Sequence, residues 1–222
     1  MNETELMVLP LVVRIERAAP PERTDALEAA AMAVLSLLDD PGEWAAELLA
    51  WQSTGKIRKV VRRARGAEWR RAAALPGRTV DHRTAEVRVH PPVPLDAWPR
   101  DLARLQVGGT ELSDAAEPGE PPSGPPVLWE NPKLTMSAGK AMAQAGHAAQ
   151  LAWWASDEAE RAAWRATGLA VSVRAAPAGD DFDAKVAAGL PVVRDAGFTE
   201  IEPGSCTFVA EAPWLLGRVA RS

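Results

Sequence analysis

The sequence predicts an α/β protein whose helices cover a mixed sheet, with that unit built twice in one chain. Three observations carry the prediction. Hydrophobic periodicity gives each half of the 222 residues the order strand, helix, helix, strand, helix, strand. The stretch "AAEPGEPPSGPPV", Ala115 to Val127, can continue neither a helix nor a central strand and separates the halves. The halves also align without a gap at an offset of 113, with ten identities between Ala46 and Val80. They include Trp51/Trp164, Thr54/Thr167, Gly55/Gly168, Val60/Val173 and Gly66/Gly179. Ala bias inflates such a count, but a paired Trp-x-x-Thr-Gly is hard to obtain from bias. The expected division is therefore residues 1–114, a linker at 115–126, and residues 127–222, the product of a tandem duplication.

Each element has its own signal. In the first half "LMVLPLVVRIE" is an apolar run of buried-strand length. "TDALEAAAMAVLSLL" reads as a helix with Thr24 or Asp25 as its N-cap. "GEWAAELLAWQSTG" is a second helix, closed by Gly55 as a left-handed C-cap. "KIRKVVRRA" is a strand, "AEWRRAAAL" a helix and "AEVRVHP" a strand, with an Asp-containing turn in "RTVDHRT" between them. In the second half "VLWEN" is a short strand and Met136 to Trp154 a helix. "DEAERAAWRATG" is a helix ended by Gly168, "LAVSVRA" a strand and "DFDAKVAAG" a helix. "FTEIEPGSCTFVAEA" supplies the last strand pair or one bent strand.

Composition excludes several classes. A single cysteine, Cys206, leaves no internal disulfide framework and no Cys-rich zinc site. No apolar run reaches membrane-spanning length, and the first residues lack a signal-type pattern, so a soluble cytoplasmic protein is expected. The formal charge is -5, yet eight Lys or Arg and one acid, Glu68, lie between Lys56 and Arg71. That run reads either as a solvated face or as a phosphate-binding patch.

Two constellations carry chemistry. In "MSAGKAMAQAGHAAQ" the residues Lys140, Gln144 and His147 fall at i, i+4 and i+7, on one helical stripe. Gly139 stands in the first turn, where free N–H groups and the helix dipole favour an anion. Read alone, the stripe is first of all the polar face that any soluble helix shows. At offset 113, however, its positions are Leu27, Ala31 and Val34, so the helix does not require polar residues there. One copy is expected to keep a site and the other to have filled it. The second constellation is "VVRDAGFTEIEPGSCT", with Asp195 opening a turn at Gly197, then Thr199, a bend at Gly204 and Ser205, and Thr207. By itself it fits ordinary turn chemistry.

Together the two constellations resemble the type 2 peptidyl-tRNA hydrolase family. That family carries Gly-Lys-x-x-x-Gln-x-x-His-Ala, here Gly139, Lys140, Gln144, His147 and Ala148. It then carries Asp-Ala-Gly-x-Thr-Gln-Ile and Gly-Ser-x-Thr, here "DAGFTEI" and "GSCT". The likeness covers about Val127 to Pro213 and marks a bacterial, tandem-duplicated member with a degenerate first copy. Glu200 stands where the family has Gln, and Ala138 where it often has Lys. Arg174 is the candidate for the family's basic strand residue.

The resemblance implies a mixed four-stranded sheet flanked by helices, with the two copies packed as a pseudo-dimer within a monomer. It implies hydrolysis of the ester between a peptide and the 3′ end of tRNA, with no metal or other cofactor. Peptidyl-tRNA is the expected partner, with no DNA and no membrane. Lys140, Asp195, Thr199 and Thr207 are the implied catalytic residues: Asp195 for water, Lys140 for developing charge, the threonines for positioning. Gly139, Gln144, His147, Arg174 and Ser205 are the implied substrate-binding residues. His147, at an ordinary imidazole pKa, is also a candidate base. A catalytically silent homologue that holds tRNA ends or a protein partner is the alternative.

Overall fold

A computed structural model describes residues 6–197 and 200–219. The first half runs β1 (Met7–Arg14), α1 (Arg23–Asp39), α2 (Ala45–Ser53), β2 (Lys59–Ala64), α3 (Gly66–Ala73), β3 (Arg78–His82), β4 (Ala85–Val89), β5 (Val93–Pro94) and α4 (Arg100–Ala103). The second runs β6 (Val127–Glu130), α5 (Ala138–Ala155), α6 (Glu158–Ala166), β7 (Ser172–Ala175), α7 (Gly179–Ala187), β8 (Val192–Arg194), β9 (Cys206–Glu211) and α8 (Pro213–Val219).

Both halves build one mixed sheet of the same topology. The first has the order β2-β1-β4-β3, with β5 added to the end of β1, and the second β7-β6-β9-β8. In each, the first strand pairs parallel with the strand after the helices and antiparallel with the last strand of the hairpin. The offset of 113 carries Ala45–Ser53 onto Glu158–Ala166 residue for residue. It also matches details. Trp51 and Trp164 are both fully buried, and their indole N–H groups donate to the carbonyls of Arg58 and Ala170. Thr54 and Thr167 hydroxyls donate to those Trp carbonyls at 2.8 and 2.7 Å. Gly55 and Gly168 close the helices at φ 66 and 70, a conformation open to Gly at little cost. Two sheets of one topology, each flanked by helices, are compatible with two related copies.

The helix pair α1 and α5 lies between the sheets, each helix touching its own sheet and one strand of the other. Small residues permit this: Ala26, Ala29, Ala30 and Ala33 on α1, and Ala141, Ala145, Ala148 and Ala152 on α5, are fully buried. Ion pairs stitch the halves together. Arg23 grips Glu130 through two bonds of 2.9 and 2.7 Å, and Arg165 meets Asp39 at 2.6 Å. Beyond the other face of the first sheet, Val12, Ala64, Trp69, Ala72, Leu102 and Leu105 form a second small core under α3 and α4.

Several sequence expectations need correction. The N-cap of α1 is Glu22, not Thr24 or Asp25. Thr24 instead gives its N–H and hydroxyl to Asp114, which ties the helix start to the chain that follows the first half. "RTVDH" is a strand rather than a turn, and the reversal falls at Arg83, with φ 51. The last strand pair is Val192–Arg194 with Cys206–Glu211, so its first member precedes "FTEIEP". The proline-rich segment is also anchored: Ala115 N–H donates to Glu22 and Arg174 donates to the Gly119 carbonyl. No helix among the described residues is long and apolar enough to cross a membrane.

Candidate active site

The second sheet and α5 bring four of the expected residues together. Asp195 follows directly on β8, and its backbone pairs with Ser205 and Gly204 across the turn. That brings its carboxylate to α5, where Oδ1 accepts from Lys140 Nζ at 2.6 Å and from Gln144 Nε2 at 2.8 Å. Oδ2 accepts the N–H of Gly197 at 2.8 Å. Gly197 has φ 74, and a side chain there would collide with Pro203, so only Gly allows this clasp. Gln144 Oε1 in turn accepts from the hydroxyl of Thr207, a fully buried residue on β9. The Lys140 and Asp195 side chains are 10% and 7% exposed, so the pair sits at the edge of solvent and is only weakly screened. The i, i+4 spacing places Lys140 and Gln144 on one carboxylate oxygen, and that oxygen, which only accepts, fixes which way the amide faces and leaves Oε1 for the Thr207 hydroxyl.

The other expected residues have these contacts. Thr199 is outside the described residues. Ser205 contributes its backbone: its carbonyl accepts from Asp195 N–H and its N–H donates to Glu202. Arg174 contacts Glu28 at 3.0 Å and the Gly119 carbonyl at 2.7 Å, bridging the halves and the linker. Gly139 N–H, expected to face an anion, donates to the hydroxyl of Thr110 at 3.0 Å. A Cβ at Gly139 would approach that hydroxyl to 2.8 Å, so the glycine makes room for Thr110. Glu200, at φ 64, accepts from both the N–H and the hydroxyl of Ser137, the N-cap of α5. A protein carboxylate thus lies at the helix start, where the dipole favours it.

His147 is half-buried between the halves, and its Nδ1 lies 3.1 Å from Lys59 Nζ of β2. Burial, then the neighbouring Lys59 and Lys140 charges, hold its pKa well below the ordinary imidazole value. The ordinary value expected from sequence does not apply, and the ring is neutral at pH 7. Lys59 and Thr110 were not singled out from sequence. Lys59 was one member of a basic run, although strand alternation puts it on the same inward side as Val61. Thr110 gave no signal, because only the fold brings it to α5.

At offset 113, Asp195 corresponds to His82, and the stripe to Leu27, Ala31 and Val34, which are fully buried. His82 Nε2 lies 2.8 Å from Glu28, and Asp25, Glu28 and His82 offer ligand atoms within 4.8 Å of one another. Arg83 and Arg174 already pair with Glu28, so a divalent cation there would meet two guanidiniums. At these described positions the first half therefore carries no counterpart of the lysine, amide and carboxylate of the second.

This defines a two-sheet α/β protein with a carboxylate held by an amine and an amide in its second half. The family model Peptidyl-tRNA hydrolase PTH2 matches residues 127–220. Over those residues the second half is similar to the type 2 peptidyl-tRNA hydrolase family. No curated protein and no solved structure matches the chain.

Proposed function

We propose that the second half hydrolyses the ester of peptidyl-tRNA, releasing peptide and free tRNA. The observation that carries this reading is the Asp195 carboxylate, fixed by Lys140, Gln144 and Gly197 N–H beside the start of α5. Ester hydrolysis needs an oriented water and compensation for the charge that grows on the carbonyl oxygen. A carboxylate has about four acceptor directions, so three bonds leave one for a water. Asp195 orients that water and draws on its proton, and Lys140 offsets the developing negative charge. Thr207 positions Gln144, and Thr199 holds water or substrate. Gly139, Arg174 and Ser205 act through their structural contacts around the substrate side. The first half, residues 1–114, is the degenerate copy of a tandem duplication, joined through residues 115–126 to a monomeric, cytoplasmic protein that binds neither DNA nor membrane.

A second reading has its own support. Glu200 and Thr110 occupy the N-terminal turn of α5, where an anionic tRNA end would otherwise dock. This favours a silent homologue that binds a tRNA end or a protein. Incubation of the purified protein with peptidyl-tRNA, with aminoacyl-tRNA as control, separates the two. Peptide release is expected, and absence of release beside intact tRNA binding would leave only the binding module.

A further inference from the structure

Lys59 belongs to the half without the site, yet its side chain ends on the helix that carries it. Its Nζ lies 3.1 Å from His147 Nδ1, 2.5 Å from Gln150 Oε1 and 5.0 Å from the centre of the Trp51 ring. Among the described residues its hydrogen-bond partners are an imidazole and an amide rather than a carboxylate, and burial pushes its pKa well below the ordinary lysine value. The stem reaches this position through a notch. A Cβ at Gly146 would meet Lys59 Cδ at 3.3 Å and Val34 Cγ2 at 3.0 Å. Gly146 thus lets the first half lay both a lysine and a valine against α5.

We propose that the first half completes the site, with Lys59 as a positioning residue that fixes the tautomer of His147. An amine N–H donated to Nδ1 makes that nitrogen the acceptor and leaves the proton on Nε2. His147 is then a neutral hydrogen-bond donor on the same helical stripe as Gln144 and Lys140, suited to a substrate oxygen rather than to taking a proton. Gln150 holds the amine from its other side. This role explains why a buried lysine persists without a counter-charge, and it gives the silent half a part in the chemistry. It rests on the hydrolase reading for its consequence, but not for its structural test.

The test is ¹⁵N NMR of the imidazoles in the full-length protein near pH 7. In the wild type His147 should show the Nε2–H tautomer. Lys59→Met should shift it to a tautomer mixture, and Lys59→Arg should keep it. Gly146→Ala, which crowds the stem but keeps the amine, should move the same signals. In the hydrolysis assay Lys59→Met should lower kcat about ten- to a hundredfold, the scale of a misplaced reacting group, with a smaller change in KM. A wild-type Nδ1–H tautomer, or a tautomer unmoved in Lys59→Met, would overturn the proposal. Absence of wild-type hydrolysis would count against the hydrolase reading alone, since the tautomer is read without substrate.

Discussion

Asp195 shows how much one residue's neighbours decide. Its carboxylate is held by a lysine, an amide and a backbone N–H, and none of these bonds is local in sequence except that to Gly197. Lys140→Ala and Asp195→Asn should each slow peptidyl-tRNA hydrolysis about a hundred- to a thousandfold, the usual cost of losing a preorganised electrostatic group. Single-turnover rates check this, and rates near wild type would remove both residues from the site. His90 makes a prediction of a different kind. Burial lowers its pKa to about 4, partly opposed by the bond from its Nδ1–H to the Pro76 carbonyl. The folded state therefore favours neutral His90. That stability is complete above pH about 6.5, declines as pH falls, and is lost below pH about 4, by about 3 kcal/mol in all. Urea unfolding of wild type and His90→Asn across this range should show the difference between them shrinking by that amount.

Elements were legible where burial wrote a pattern into them. The apolar run of β1, the helix α5 and the Trp-x-x-Thr-Gly helix ends could be read directly. The strand β3 could not, because "RTVDH" lies at a sheet edge with alternate residues exposed, and its polar character resembles a turn. Three residues of β8 carry too short a period to count. Lys140, Gln144 and Asp195 were legible as a site. The partners Thr110 and Lys59 were not, because they lie about 30 and 90 residues from α5's polar positions and only the fold joins them. Leu27, buried on α1 where the second half has Lys140, tests the contrast between the copies. Leu27→Ala should cost about 2–5 kcal/mol of stability and leave hydrolysis by the folded fraction intact. Glu200→Gln acts on the start of α5. It removes a carboxylate favourable to the helix dipole, costing about 0.3–1 kcal/mol. It should also tighten tRNA binding, which filter binding at fixed salt would register; weaker binding would show that Glu200 does not oppose the phosphate.

At the scale of the molecule, α1 and α5 bury each other between the sheets, and this governs assembly. Because α1 and α5 cover each other within one chain, we predict a monomer. Light scattering at micromolar concentration should give a mass near 23.7 kDa; twice that value would contradict the arrangement. The basic run also reads differently on the folded surface. Arg62 stacks on Trp98 at 4.3 Å and donates to the Leu105 carbonyl, and Arg63 donates to the Gly108 carbonyl. These two hold the segment that leads away from the first half. Lys56, Arg70 and Arg71 are exposed, with Arg71 paired to Asp101 at 3.5 Å.

Thr110 leaves the ribosome before the helix whose Gly139 N–H it accepts. The hydroxyl that meets Gly139, and the Asp114 that seals the start of α1, both lie in the stretch made between the two sheets. During synthesis the first sheet and α1 can form while the alanine face of α1 still lacks its cover. Uncovered, that alanine face, fully buried in the finished fold, is apolar surface of the kind that makes partly folded chains prone to aggregate. A first sheet formed in that order would offer α5 a ready surface, tethered at the length of the linker rather than met in solution.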